Sequence, residues 1–331
     1  MAADRAGGEA AVSGAGRIAA GALAAAAAGP AIAALVPPGV LLSLLAQACI
    51  YAILALSVGV LARQNGMVSF GHAAMFGAGA YLAGIGLGAP GLLPAEAALP
   101  LAVLAMAAVC FGLGLIVVRV HGIAFAMLTL ALGQACFEAA NKARGVTGGA
   151  DGLTVALPRE IFGLPAATFQ RAEGMFLIAW LAMVALAALA ALLARSRFGL
   201  LTEAIRENEE RARFLGYGTV LPRAAVFALS GGIAAAGGVL YVLYNGFVSP
   251  ETVHWSVSGS ALIMALLGGT RTVWGPLAGA AVYFLLREQL VEVTERWLGL
   301  LGILLVLVMV FLPDGLSGLP RRLRRRHGAE A

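Results

Sequence analysis

Charge is what this 331-residue chain has least of. Asp, Glu, Lys and Arg make up 12% of it, against about 25% in a soluble domain, while 61% is hydrophobic. That balance excludes a soluble globular protein and a disordered chain. Cysteine is scarce as well. Cys49, Cys110 and Cys136 lie inside apolar runs with no Cys-x-x-Cys spacing, which excludes a disulfide scaffold and a thiolate metal site. They read as small hydrophobes. The single lysine, Lys142, is followed by Ala143, so there is no Gly-Lys-Ser/Thr loop to hold ATP phosphates. His72, His121, His254 and His327 are far apart, and neither His-Glu-x-x-His nor Gly-x-Ser-x-Gly occurs. An intramembrane enzyme would need such a cluster. The apolar runs also hold essentially no carboxylates, so the proton relay of a secondary transporter has nothing to be built from. Energy, if any is used, must come from another subunit.

What the chain has instead is length without charge. No charged residue falls between Arg17 and Arg63, a run long enough for two helices split at Pro37-Pro38. Further charge-free runs cover 64–95, 97–118, 120–137, 174–194, 224–250, 252–270, 272–286 and 297–313. At roughly 20 residues per crossing this predicts an all-α, polytopic bundle of about ten spans. The Ala-rich start reads as a first membrane helix, because the apolar stretch runs on well past signal-peptide length. The expected divisions are an N-terminal segment 1–17, a membrane domain 18–313 and a basic tail 314–331. Residues 138–173 and 195–223 form the two long loops. With both termini in the cytoplasm, 16 of the basic residues fall inside and 6 outside, which sets the orientation by the positive-inside rule. The tail Arg321-Arg322-Leu323-Arg324-Arg325-Arg326 then reads as a topology anchor near anionic lipid, with no nucleic acid required.

The 44 glycines cluster inside apolar runs, as in Gly77, Gly79, Gly84, Gly86 and Gly88, and in Gly231, Gly232, Gly237 and Gly238. Gly84/Gly88 and Gly275/Gly279 have the spacing of close helix packing. Asn65-Gly66-Met67-Val68-Ser69 recurs 180 residues later as Asn245-Gly246-Phe247-Val248-Ser249. The first lies near the cytoplasmic face and the second near the outer face, as in an inverted-topology repeat whose broken segments meet at the substrate route. The expected pathway residues are Asn65, Gly66, Ser69, His72, Thr147, Gly148, Gly149, Asn245, Gly246 and Ser249. Free N–H and C=O groups at such breaks would face the two charges of a zwitterion.

The loop 195–223 carries a second signal. Thr202 stands as an N-cap before Glu203, Ala204, Ile205, Arg206, Glu207, Asn208, Glu209, Glu210 and Arg211, and Gly216 follows the last turn. The spacing predicts a short helix over 203–216 with Arg206–Glu210 and Glu207–Arg211 pairs. A capped, charged helix held between two spans suits docking to a soluble partner.

These residues resemble the inner-membrane permeases of branched-chain amino acid ABC transporters, the LivM/LivH type. The resemblance runs over about 51–319. It is carried by Leu54-Ala55-Leu56-Ser57, Ser69-Phe70-Gly71-His72-Ala73-Ala74, Thr147-Gly148-Gly149-Ala150-Asp151-Gly152, Ala204-Ile205-Arg206-Glu207-Asn208-Glu209, Val248-Ser249-Pro250-Glu251, Leu267-Gly268-Gly269 and Phe311-Leu312-Pro313-Asp314-Gly315. Ala62-Arg63-Gln64-Asn65 departs from the Gly-rich turn expected there. The resemblance implies a non-enzymatic subunit of the bacterial inner membrane. It would pair with a second permease, two cytoplasmic ATPases that bind the ATP, and an extracytoplasmic binding protein. It makes 203–216 the coupling helix and a branched-chain or similar aliphatic amino acid the cargo. Urea or a short amide is the alternative within the same family.

Overall fold

The computed structural model describes residues 2–37, 39–88 and 94–293, and beyond them 296, 299, 300, 302, 303, 306, 307, 311 and 315–318. The expected basic tail from 319 onward and most of the run 297–313 lie outside the described residues. The described residues are mostly helical. The helices are α1 (Ala2–Leu35), α2 (Val40–Asn65), α3 (His72–Gly88), α4 (Ala95–Val117), α5 (Ile123–Lys142), α6 (Arg144–Thr147), α7 (Ala166–Gln170), α8 (Ala172–Arg195), α9 (Arg197–Glu207), α10 (Glu209–Phe214), α11 (Val220–Asn245), α12 (Trp255–Gly268) and α13 (Gly275–Val293). Two small antiparallel ladders join β1 (Leu153–Thr154) to β4 (Phe247–Val248) and β2 (Glu160–Ile161) to β3 (Leu164–Pro165).

Among the described residues six helices are long and apolar enough to cross a membrane: Gly16–Leu35 within α1, and α2, α4, α5, α8 and α11. The apolar runs over 64–95 and 252–270 hold shorter helices, of 17 residues in α3 and 14 in α12. At 1.5 Å per residue these reach about 26 and about 21 Å, short of a hydrocarbon core of about 30 Å. Each is preceded by a break in the backbone. α1 ends at Leu35 and α2 begins at Val40, so the two helices part where the sequence predicts a split, and Pro37 offers no N–H to continue the first. α1 runs without a break from Ala2 into the apolar stretch Gly16–Leu35.

The centre of the bundle is an antiparallel pair, α2 and α11, each 26 residues long. Ser43 shares a hydrogen bond with Tyr244 (2.7 Å), Ser230 Oγ donates to the Ser57 carbonyl (2.7 Å), and Asn65 Nδ2 donates to the Arg223 carbonyl (3.0 Å). As one helix advances, the other retreats by nearly the same count. Both end in Asn-Gly, with Gly66 (φ 68°) and Gly246 (φ 63°) in the left-handed conformation that glycine adopts most readily. Two like helices running in opposite directions, each followed by a break and a short helix, have the geometry of an inverted repeat.

Small residues let these helices touch. A Cβ on Gly238 of α11 would lie 1.9 Å from the Phe76 carbonyl oxygen of α3, and one on Gly279 of α13 would lie 1.9 Å from the Met264 carbonyl oxygen of α12. The Gly275/Gly279 spacing is therefore a true crossing. In the Gly84/Gly88 pair only Gly84 meets a neighbour, Val155. Cys49 and Cys110 are buried among apolar groups, whereas Cys136 is exposed on α5.

Candidate functional site

The loop between α8 and α11 folds as two helices. The Ser196 hydroxyl caps α9 by accepting from the Gly199 N–H (3.2 Å), and Asn208 Oδ1 caps α10 by accepting from the Arg211 N–H (2.8 Å). This corrects the reading of one helix over 203–216 started by Thr202. Thr202 lies inside α9 and is buried, its hydroxyl shared between Gln64 Oε1 of α2 (2.7 Å) and the Gly199 carbonyl (2.9 Å). Asn208 is extended (φ −155°, ψ 98°) and resets the helical register. The Arg206–Glu210 and Glu207–Arg211 pairs therefore do not appear among the described ion pairs. Arg206 instead meets Glu203 (3.5 Å), and Arg213 meets Glu209. Gly216 ends the element as the sequence predicts. At φ 87° it donates to the Arg213 carbonyl (2.9 Å), and Tyr217 donates to that of Ala212 (3.1 Å), a Schellman close.

The two helices present Glu207, Asn208 and Glu210 to the outside, together with Phe214 (90% exposed), Leu215 (71%) and Tyr217. The apolar tip Phe214-Leu215 was not marked by sequence reasoning, which followed the charges. An aromatic and a leucine just before a helix-ending glycine, on a loop between two spans, were the available signal.

Polar bonds tie this loop to the central pair. Arg206 donates to the Arg63 carbonyl, Thr202 to Gln64, and Asn65 to the Arg223 carbonyl, so three consecutive residues at the end of α2 are held. Glu209 is a hub. It accepts from Arg223 Nη1 (2.6 Å), Thr219 Oγ1 (2.8 Å) and Arg213, and faces His121 Nε2 (3.0 Å) in the α4–α5 turn. Burial opposes its charge, but the Thr219 hydroxyl and the neighbouring Arg223, Arg213 and His121 outweigh burial and hold the carboxyl below its ordinary 4.5.

The other expected pathway residues divide between the two ends and the core. Asn65 and Ser69 are buried, and Gly66 is exposed beside Arg206 of α9. His72 is fully buried, with Nε2 against Ser230 Oγ (2.7 Å). Ser230 spends its one proton on the Ser57 carbonyl, so the His72 ring donates from Nε2. Ser258 Oγ of α12 accepts from the Ala73 N–H of α3 (2.8 Å), joining the two short helices. At the opposite end, the Thr147 hydroxyl is shared between the Ala140 (2.6 Å) and Ala143 (2.9 Å) carbonyls, and Gly148 and Gly149 take positive φ. The Val155 N–H donates to the Gly246 carbonyl (2.8 Å), and β1 pairs with β4. That places Asn245, Gly246 and Ser249 beside the loop 138–173. The structure thus brings Thr147, Gly148 and Gly149 to the end that carries Asn245, Gly246 and Ser249. It does not bring either group to Asn65, Gly66 and Ser69.

Between α3, α4, α5 and α11 lies a cavity of about 420 Å³. Its walls are mostly apolar, with Met75, Met106, Leu132 and Phe227 among them, and Thr129, Thr147 and Tyr81 also line it. The Tyr81 hydroxyl is buried and has no hydrogen-bond partner among the described residues. Among the described residues no group of His, Cys, Asp and Glu is placed to hold a metal.

Comparison with known proteins gives this geometry a context. Residues 40–311 match the family described as "Branched-chain amino acid transport system / permease component". The high-affinity branched-chain amino acid transport system permease protein LivM of Salmonella typhimurium is 29% identical over 82% of this chain and 68% of its own length. LivM of Escherichia coli K12 is 28% identical over 85% of this chain and 71% of its own. The autoinducer 2 import system permease protein LsrC of Salmonella paratyphi B is 33% identical over 50% of this chain and 51% of its own. No solved structure matches.

Proposed function

The chain belongs to the family of permease components of branched-chain amino acid transport systems, and from that premise we propose that it carries an aliphatic amino acid inward across the bacterial inner membrane as one half of an ABC importer. It is a multi-pass membrane permease. Its proposed partners are a second permease, two cytoplasmic ATPases that hold the ATP, and an extracytoplasmic binding protein. The observation that carries the reading is the pair α9–α10. It is a capped, exposed element whose Arg206 and Thr202 are bonded to Arg63 and Gln64 of α2, and whose Glu209 is bonded to Arg223 of α11. A push on it is delivered to the two central helices. The mostly apolar cavity beside α5 suits an aliphatic side chain. Few specific contacts are needed if the binding protein does the selecting.

The test is uncoupling. Glu207→Arg with Glu210→Arg reverses exposed charge without touching Glu209, and Phe214→Ala removes the apolar tip. In the reconstituted assembly each is expected to lower substrate-stimulated ATPase and uptake by about tenfold or more, the scale of a lost interface anchor. Unchanged coupling in both would remove α9–α10 from that role.

Orientation has its own check. With Cys49, Cys110 and Cys136 replaced, single cysteines go at Ala156 and Glu210, both exposed and on opposite ends of the bundle. An impermeant reagent applied outside is expected to label position 156 and to spare 210. The reverse pattern would invert the topology.

A further inference from the structure

A second cavity, of about 360 Å³, opens where α4 ends and α11 begins. Charge dominates its wall: Arg119, Arg213 and Arg223 line it with His121, and Glu209 is the only carboxylate among the described residues that line it. Glu209 neutralises at most one of the three guanidinium groups. Arg223 is buried, 5% exposed, and lies against Glu209 through Nη1, yet its Nε–H has no acceptor among the described residues. An orphaned donor on a buried cation costs free energy unless something fills the place. Arg119 is exposed and spends its Nε–H on the Leu115 carbonyl (2.9 Å).

We propose that this cavity binds the phosphate of an anionic phospholipid. Arginine forks match phosphate oxygens in pairs, and a surplus of positive charge in a partly desolvated hollow favours an anion. The lipid source follows from the surroundings. The cavity sits at the ends of two membrane-crossing helices, next to Ile116 (69% exposed) and Leu221 (62% exposed), which leave an apolar path for acyl chains beside the charged pocket. Basic pockets between spans at the cytoplasmic side are suited to such headgroups. Because Glu209 and Arg213 belong to the coupling element, a bound headgroup would brace α10 against α4 and α11. The binding claim itself does not depend on the transport reading.

Native mass spectrometry of the full chain, loaded with equal phosphatidylglycerol and phosphatidylcholine, tests it. Wild-type protein is expected to retain phosphatidylglycerol preferentially. Arg119→Gln, whose only mapped contact is a local carbonyl, should lower that retention about fivefold, as for one lost charge-assisted partner. Arg119→Glu should abolish it. Arg17→Gln, another exposed arginine far along the chain, should leave it unchanged, which separates a built site from diffuse surface charge. Excess inorganic phosphate should not displace the lipid. Equal retention by wild type and Arg119→Glu would overturn the proposal, as would an equal loss in Arg17→Gln. Displacement of the lipid by inorganic phosphate would overturn the lipid source in favour of a soluble anion.

Discussion

Gly238→Leu is expected to yield no folded protein. A Cβ at this position would lie 1.9 Å from the Phe76 carbonyl oxygen and 2.8 Å from its carbonyl carbon, so the obstacle is backbone and no rotamer relieves it. Helices α3 and α11 would have to separate, and with them the packing of Phe76, which is fully buried beside Tyr51 and Tyr241. Overpacking of a core costs about 1–3 kcal/mol where side chains can move, and more where the main chain must. Between membrane helices, close contact and dispersion are themselves the driving force, so the loss is not offset by any hydrophobic gain. Gly112→Ala in α4 is the control, because a Cβ there meets nothing within 4 Å. It should be neutral, or stabilising by up to about 1 kcal/mol through helix propensity. The checking measurement is the yield of monodisperse protein and its unfolding midpoint in mixed micelles.

Glu209→Ala should be the most damaging single change in the loop. It leaves Arg223, with a side chain only 6% exposed, without its carboxylate, and it also releases Arg213, Thr219 and His121. Breaking one side of a buried ion pair costs about 3–5 kcal/mol; with Glu209 itself 19% exposed, the lower end of that range is expected. The same hub gives a pH signature. A carboxyl held below its ordinary 4.5 stabilises the fold fully above that value, and the contribution is lost as pH falls through the lower folded value. Acid titration of the unfolding midpoint should therefore show a loss below about pH 4.5 in wild type that shrinks in Glu209→Gln. A Glu209→Leu/Arg223→Met double variant should recover part of the stability while losing the tie between α10 and α11. Equal midpoints for wild type and Glu209→Ala would show that the hub contributes nothing.

What could be read from residues alone was whatever depends on neighbours in sequence. Apolar runs became helices, the first two parted between Leu35 and Val40, and Asn-Gly at 65 and 245 closed two helices in the same way. Gly216 ended α10 where its position required. The errors came where a distant residue decided the matter. Thr202 has the chemistry of an N-cap, but its hydroxyl is claimed by Gln64, 138 positions away, and Ser196 and Asn208 take the capping roles instead. The expected i, i+4 pairs across 206–211 failed because Asn208, read as part of one helix, interrupts it.

The two Asn-Gly segments were expected both on opposite faces and together at a substrate route. An antiparallel α2–α11 pair permits only the first, and no local pattern announces that pairing. The cavity beside α5 was invisible for the same reason. Its walls come from four helices, and Tyr81 differs from a core tyrosine only in having no partner.

The most direct measurement is uptake of labelled leucine into vesicles carrying the whole assembly with its binding protein and ATP. The account predicts saturable, ATP-dependent inward transport that valine competes for and that urea and a short amide do not. Saturable urea uptake that leucine fails to inhibit would contradict the amino-acid assignment and leave the permease fold carrying a different cargo.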